Sequence, residues 1–468
     1  MTYLDYFKEI CTMPHGSGNT KIISDWLVKF AKDHNFEYHQ DAANNVIIIK
    51  EASKGMEDKP AVIIQGHMDM VAVHDDDRII DMEKEGLILE EDGDFLYAKG
   101  TSLGGDDGIA VAYGLALLAD DSLKLPRIEL VITVDEEVGM LGAAVIDLSP
   151  CKATTMLNID SEEEGIFLVS CAGGARVDFN YPMKKAENKE GTAYKISING
   201  LIGGHSGTEI NKGRANAICL MGGILKKLAD AKLLLAINSI TGGTADNVIC
   251  NACEATVLCK PIEPELFEII KFEVSENYLN VETGMNISLS EVSGSGLDWY
   301  ESTEGLLSNF LTALPFGVIA MSKDIEGLVE TSLNLGIIKL ENSAVSLSIS
   351  VRSNIDENKD ELINTLKEIA DNNNTSYSVR GEYPGWAYKK DSPLRDKMIR
   401  IYKEMYGEEP KVEALHAGLE CGVFAAKIEN LDCISFGPNM FDIHSTKERM
   451  SLSSAERTWN YLLKVLSE

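Results

Sequence analysis

Apolar residues recur at helical spacing over residues 20–35, where Ile22, Ile23, Trp26, Leu27, Phe30 and Ala31 predict an amphipathic helix. Short β-branched runs at 45–50, 61–65, 127–134 and 154–160 read as buried strands. An acidic, polar stretch over 67–100 reads as loops and hairpins. A glycine-rich turn then leads into an Ala/Leu-rich helix with Asp106 and Asp107 at its start. Strands alternating with helices in this first part predict a largely parallel α/β sheet. After Cys171-Ala-Gly-Gly174 the texture changes. Alternating strands at 194–199, 255–260 and 344–352 are interspersed with helical segments at 214–231, 264–274 and 359–372, which predicts an inserted α+β domain. A Pro/Gly-rich joint at 381–386 marks the return, and helices are predicted at 393–406 and 455–466. The expected organisation is a first domain at 1–173, an insert at 174–383 and a closing segment of the first domain at 384–468.

With 468 residues the chain is too long for a single core. Its net charge of −31 disfavours nucleic acid and anionic membrane surfaces as partners. No apolar run approaches a membrane span, and the N-terminus lacks the basic and apolar regions of a secretory signal. Nine scattered cysteines do not form a disulfide framework, so a reducing cytoplasm is expected. Cys250-Asn-Ala-Cys253 is a C-x-x-C, but it lies in what reads as a strand or strand pair, where positions three apart face opposite sides. No second pair completes a zinc site.

The chemistry gathers at element ends. His67-Met-Asp69 follows one strand, Asp135-Glu136-Glu137 another and Asp160 a third, while Asp106 and Asp107 open a helix. Residues two apart on a strand face the same side, so His67 and Asp69 can reach one site. Ligands of parallel α/β sheets collect at the carboxyl ends of the strands. Acids crowded there are costly unless a cation is present or one stays protonated. The aspartates at the helix start also suit an N-cap. In the insert, Gly203-Gly-His205-Ser-Gly and Gly242-Gly-Thr-Ala-Asp-Asn247 read either as turns or as binding loops. Later come the loop His416-Ala-Gly418-Leu-Glu420-Cys-Gly and the turn Phe441-Asp-Ile-His444.

In this order, His67-x-Asp69, Gly-Thr-Ser-Leu-Gly-Gly-Asp106-Asp-Gly, Asp-Glu136-Glu137-Val-Gly-Met-Leu-Gly-Ala, Asn-Ile-Asp160-Ser-Glu-Glu-Glu-Gly and the C-terminal His444 resemble the M20 metallopeptidase family. Ser-Cys-Ala-Gly-Gly, Gly-Gly-His205-Ser-Gly and His416-Ala-Gly-Leu-Glu-Cys-Gly are similar to its aminoacyl-histidine (Xaa-His) dipeptidase branch, which includes β-alanyl-histidine activity. The resemblance spans essentially the whole chain. It implies an α/β catalytic domain with a mostly parallel sheet and an inserted α+β lid, through which two subunits would pair as a homodimer.

The resemblance further implies two zinc ions per subunit, with cobalt or manganese as substitutes. His67 and Asp160 would hold one, Glu137 and His444 the other, with Asp106 bridging. Histidines combined with carboxylates suit such metals. Asp69 would orient His67. Glu136 would be the general base for a water activated by the metals, attacking an unblocked dipeptide. His205, contributed across the dimer, would stabilise the oxyanion, Asn247 would assist binding, and Arg352 would clamp the terminal carboxylate. His416 and Gly418 would line the same pocket. Two departures touch the lid: the asparagine motif lacks the branch's arginine, and Cys250 and Cys253 stand where the branch has other residues. An N-acyl-amino-acid amidase of the same family is the alternative reading. A catalytically silent binding protein is disfavoured because every ligand and acid–base residue is present.

Overall fold

The strand Val46–Lys50 carries three consecutive isoleucines and is buried on both faces, as a central strand covered by helices must be. In a computed structural model, which describes residues 1–187, 190–302 and 307–468, strands form two large sheets and a small four-stranded one. The chain divides into two compact units. The first comprises Met1–Cys171, Tyr388–Ala414 and Leu419–Glu468, and the second Ala172–Ala387 with Leu415–Gly418. The expected boundaries therefore move by a few residues. Leu415–Gly418, expected in the closing segment of the first domain, groups instead with the insert. The reason is local: Ala172 N donates to the carbonyls of Leu415 (3.1 Å) and Ala417 (3.0 Å).

In the first unit, eight strands run in the order Glu37–Gln40, Val46–Lys50, Ile128–Thr133, Val62–His67, Thr155–Asn158, Asp432–Ser435, Ile166–Cys171, Lys411–Leu415. The four central strands, from Ile128–Thr133 to Asp432–Ser435, are parallel. Val46–Lys50 pairs antiparallel with Ile128–Thr133, and Ile166–Cys171 pairs antiparallel with Asp432–Ser435. The parallel character predicted for the whole sheet thus belongs to its centre. In register, His67 lies opposite Thr133 and Gln65 opposite Asn158, so two of the three neighbouring strands end level and the third stops two residues short. The stretch between His67 and Gly100 holds a hairpin, Leu89–Asp92 with Phe95–Ala98, inside a small four-stranded sheet.

The second unit is built on a ten-stranded sheet whose described pairings are all antiparallel. Val177, Phe179, Leu347 and Ile349 pack in one buried core with Ile218, Met221 and Ile224 of the helix Ala217–Asp230. The helix starts at Asn216, whose side chain accepts from Ile218 N and Cys219 N and so satisfies donors that the first turn leaves open. Cys253 begins the strand Cys253–Cys259, but Cys250 lies before it. The expected opposite-face geometry therefore does not apply to the pair. Both cysteines are free and buried, and Cys250 Sγ donates to the Ala252 carbonyl (3.1 Å). Among the described residues no helix is long and apolar enough to cross a membrane.

Candidate metal centre and active site

His67 ends its strand buried, at 1% exposure. The glycine before it is required. A Cβ on Gly66 would lie 2.3 Å from Asp107 Oδ2 and 2.4 Å from Ala110 Cβ, so the helix Gly105–Ala119 could not approach. That helix is entered through Gly104 at φ +67°, a left-handed conformation that side chains resist. Gly104 occupies the cap position, so neither aspartate caps the helix with its side chain. Asp106 (φ −81°, ψ 105°) and Asp107 (φ −120°, ψ 33°) have non-helical backbones, and their carboxylates lie among the site residues instead.

Asp106 Oδ1 lies 3.2 Å from His67 Nε2, and its Oδ2 lies 3.1 Å from His444 Nε2. Asp160 Oδ1 is 3.5 Å from the same His67 nitrogen, and Glu137 Oε2 is 3.0 Å from His444 Nε2. One carboxylate thus stands between two imidazoles, each of which meets a further acid. The potential ligand atoms of His67, Asp106 and Glu137 lie within 4.8 Å of one another, and so do those of His67, Asp107 and Asp160. The sequence marks Asp107 as an acid at the helix start beside the proposed bridging Asp106, without a ligand role of its own.

The far nitrogen of His67 faces Asp69. Nδ1 is 2.9 Å from the Asp69 carbonyl and 3.5 Å from its carboxylate. The closer acceptor is the peptide oxygen. The carboxylate accepts from Ser17 Oγ (2.8 Å), Glu136 N (3.1 Å) and Glu137 N (3.4 Å), so Asp69 also fixes the turn that carries both glutamates. Asp135, the first acid of that run, turns away and accepts from Gly18 N (2.6 Å).

The electrostatics describe a site short of positive charge. Burial works against a charged His67, yet Asp106, Asp160 and Asp69 hold its pKa well above the ordinary value. Hydrogen bonds to Asp106 and Glu137 push His444 up to about 10. Burial would raise Asp106, but the two imidazoles pull it down. Burial dominates elsewhere: it pushes Glu136 up to about 8, partly offset by His67, and holds Asp107 and Asp160 well above the carboxylate range. Glu162 reaches about 7 by burial and the nearby Asp106.

The proposed substrate residues of the insert gather in the second unit. Arg352 is buried, donates to Tyr383 Oη (3.2 Å) and leaves Nε without a hydrogen-bond partner among the described residues. Among the described residues no carboxylate pairs with it. His416 Nε2 lies 2.8 Å from Ser332 Oγ, and Nδ1 lies 3.4 Å from Asn354 Oδ1. Burial, with Arg352 and His205 nearby, holds its pKa down to about 3, so the ring is neutral. His205 Nδ1 accepts from Gly207 N (3.3 Å) and Thr208 N (3.2 Å), and burial and Arg352 lower its pKa. An accepting Nδ1 leaves the proton of a neutral imidazole on Nε2. Asn247 is held by its backbone, whose carbonyl accepts from Ser206 N (2.8 Å). Gly418 closes the Leu415–Gly418 excursion into this unit.

Comparison with known proteins decides the family: residues 63–468 match Peptidase family M20/M25/M40. The chain belongs to family M20. It is 32% identical over 473 aligned residues to the cytosol non-specific dipeptidase of Escherichia coli, covering 99% of this chain and 96% of that protein. The crystal structure of aminoacylhistidine dipeptidase from Vibrio alginolyticus superposes with a TM-score of 0.91 at 32% identity, over 99% of this chain and 96% of that one. A Bacillus cereus aminopeptidase, at 16% identity and a TM-score of 0.57 with 99% and 97% coverage, shares the fold.

The M20 site has room for cations in its bonding. Glu137 Oε1 and Asp107 Oδ1 are buried without a hydrogen-bond partner among the described residues. No lysine or arginine of the described residues pairs with Asp106, Asp107, Glu136, Glu137 or Asp160; histidines are their only cationic neighbours. Two imidazoles and several carboxylates form a donor set suited to zinc or manganese. Two more acids join the region that the sequence did not single out for the metal centre. Glu420 is wholly buried, and its Oε2 accepts from Gln65 Nε2 (2.5 Å) and Thr133 Oγ1 (2.6 Å), which joins two adjacent parallel strands. Burial pushes its pKa up to about 7. Glu448 is buried too, with burial pushing it up to about 6. A usable signal existed for Glu420, an acid inside the apolar run Ala-Gly-Leu-Glu-Cys-Gly-Val-Phe.

Proposed function

We propose that this M20 protein is a dinuclear metal-dependent dipeptidase acting on dipeptides with a free amino end, Xaa-His dipeptides including β-alanyl-histidine among them. The observation that carries this reading is Asp106 placed between His67 and His444, with a different carboxylate oxygen toward each. The two full-length relatives, one a non-specific dipeptidase and one an aminoacylhistidine dipeptidase, support the substrate class. His67 and Asp160 would hold one ion, Glu137 and His444 the other, and Asp106 both, with zinc the best fit to the donors. When bound, the ions supply Lewis-acid polarisation of the scissile carbonyl and acidify water.

The chain's own residues do the rest. Glu136 is buried beside three other acids, which raises the basicity of its carboxylate. It takes a proton from the attacking water and delivers it to the leaving amine nitrogen, a role worth about 10²–10⁴-fold. Asp69 holds both the His67 ring and the Glu136 backbone in place for that transfer. His205, contributed across the dimer, donates from Nε2–H to the developing oxyanion. Arg352, buried with no carboxylate partner among the described residues, pairs with the substrate's terminal carboxylate. Asn247, His416 and Gly418 shape the same subsite, and homodimer formation through the second unit in a cytoplasmic setting completes the reading.

The test is hydrolysis of a panel: carnosine, Ala-His, Leu-Gly and N-acetyl amino acids, with added zinc. Turnover of the unblocked dipeptides is expected. Activity confined to the acetylated compounds would overturn the dipeptidase reading in favour of an amidase.

A further inference from the structure

We propose that Glu448 is a positioning residue that locks the bridging Asp106 to the His444 loop and thereby sets the metal affinity of the site. This rests on the reading of Asp106 and His444 as ligands. Glu448 Oε2 accepts from Leu103 N (2.8 Å) and Gly104 N (3.1 Å). Its Oε1 accepts from Gly105 N (2.8 Å) and lies 3.5 Å from Asp106 N. Four successive amides thus converge on one side chain that is only 3% exposed. The amides at a helix start have no acceptor within the helix, and a left-handed residue such as Gly104 turns successive N–H groups toward one point. An anionic group there satisfies all of them, and the chain supplies its own.

The position of Glu448 in sequence gives this bond set its significance. Its own amide donates to the Ser445 carbonyl (3.2 Å), so it belongs to the same short turn as His444. One carboxylate therefore joins the backbone beneath Asp106 to the turn that presents His444, whose Nε2 is 3.1 Å from Asp106 Oδ2. A bridging carboxylate must satisfy two ions at once, so a small shift of its backbone costs both bonds. The space is also closed from the other side: a Cβ on Gly105 would meet Met440 Sδ at 3.0 Å and Glu448 Oε1 at 3.3 Å.

Glutamine at this position would offer one oxygen and turn its NH2 against two of the amides. Aspartate would keep the charge but fall a methylene short. Removing groups that orient metal ligands typically weakens metal binding by about 10–100-fold. The experiment is zinc titration of the metal-stripped full chain against a chromophoric chelator, with thermal melts of the metal-free proteins alongside. Glu448→Gln is expected to weaken zinc uptake by about 10–100-fold with a metal-free melting temperature close to wild type, and KM for a dipeptide at saturating zinc should not change. Wild-type zinc affinity in Glu448→Gln overturns the proposal. If that variant does not fold, Glu448→Asp decides in the same way. Failure of both to fold without metal would make Glu448 a residue of fold stability and also overturn the proposal. If wild type itself takes up no zinc, the metal-centre reading falls first, a distinguishable result.

Discussion

The two units each bury a charge imbalance, and the imbalances have opposite sign. In the first, Asp106, Asp107, Glu136, Glu137 and Asp160 crowd together with only histidines as cationic neighbours among the described residues. In the second, Arg352 is buried with no carboxylate partner among the described residues, and the imidazoles near it are held neutral. Burying an unpaired charge is expensive. Each arrangement therefore describes what it lacks: a cation in the first unit, an anion in the second. On the proposed reading metal ions meet the first demand and a substrate's terminal carboxylate the second.

The sharpest way to break this comparison is to remove Glu136, the acid of the first unit proposed as the base and not as a ligand. Glu136→Ala is expected to lower kcat by about 10²–10⁴-fold while zinc content per chain stays at the wild-type level. A loss of zinc in step with activity would move Glu136 into the ligand set. A smaller effect tests the second unit. Arg352→Ala should cost about tenfold to hundredfold in kcat/KM on free dipeptides, mostly in KM, because a hydrogen bond to a charged group is worth about 1.5–3 kcal/mol. Dipeptide amides, which have no terminal carboxylate, should be turned over equally by both proteins. An equal loss on the amides would mean that Arg352 supports the fold and not the substrate.

How much of this could be read from the chain depended on what kind of signal each residue leaves. The strands Val46–Lys50, Ile128–Thr133 and Thr155–Asn158 lie within the predicted runs because short, largely apolar stretches of this kind suit a strand buried on both faces. Acids directly after such strands stand out because the carboxyl end of a parallel sheet gathers them. Glu448 left no comparable mark. It lies in a loop, and its role depends on amides more than three hundred positions earlier, a contact that no local pattern encodes. Asp107 was visible, but its helix-start position left an N-cap and a metal site both open, and Gly104 in the cap position removes the first. The position of Cys250 relative to its strand likewise followed from hydrogen bonding and not from composition.

The smallest effect, and the one that separates the two units by sign, is the pH dependence of the metal-stripped protein. A carboxyl whose pKa is higher in the fold than in the unfolded chain keeps a proton that the unfolded chain has released. Stability therefore falls as pH rises between those two values. Glu448 (about 6), Glu420 and Glu162 (about 7) and Glu136 (about 8) all lie on this side of the ordinary carboxylate value. His444, raised to about 10 by its acidic partners, adds the same sign: its contribution is complete below pH about 6.5 and is lost as pH rises through about 10. Asp106 and Asp69 are lowered, so their contributions are complete above the carboxylate range and constant in this window. In the second unit His416 is held to about 3 and His205 is lowered, so those rings favour the fold more as pH rises toward about 6.5 and nothing further beyond it. The opposing trends overlap only in acid. Between pH 7 and 9 the metal-free chain is expected to melt at steadily lower temperature, driven by the first unit alone. Zinc replaces the protons that hold this cluster together, so the loaded protein should show a flatter profile and release protons on binding, measurable by calorimetry in buffers of different ionisation enthalpy. Parallel declines with and without zinc would mean that the acid cluster is not the source of the trend.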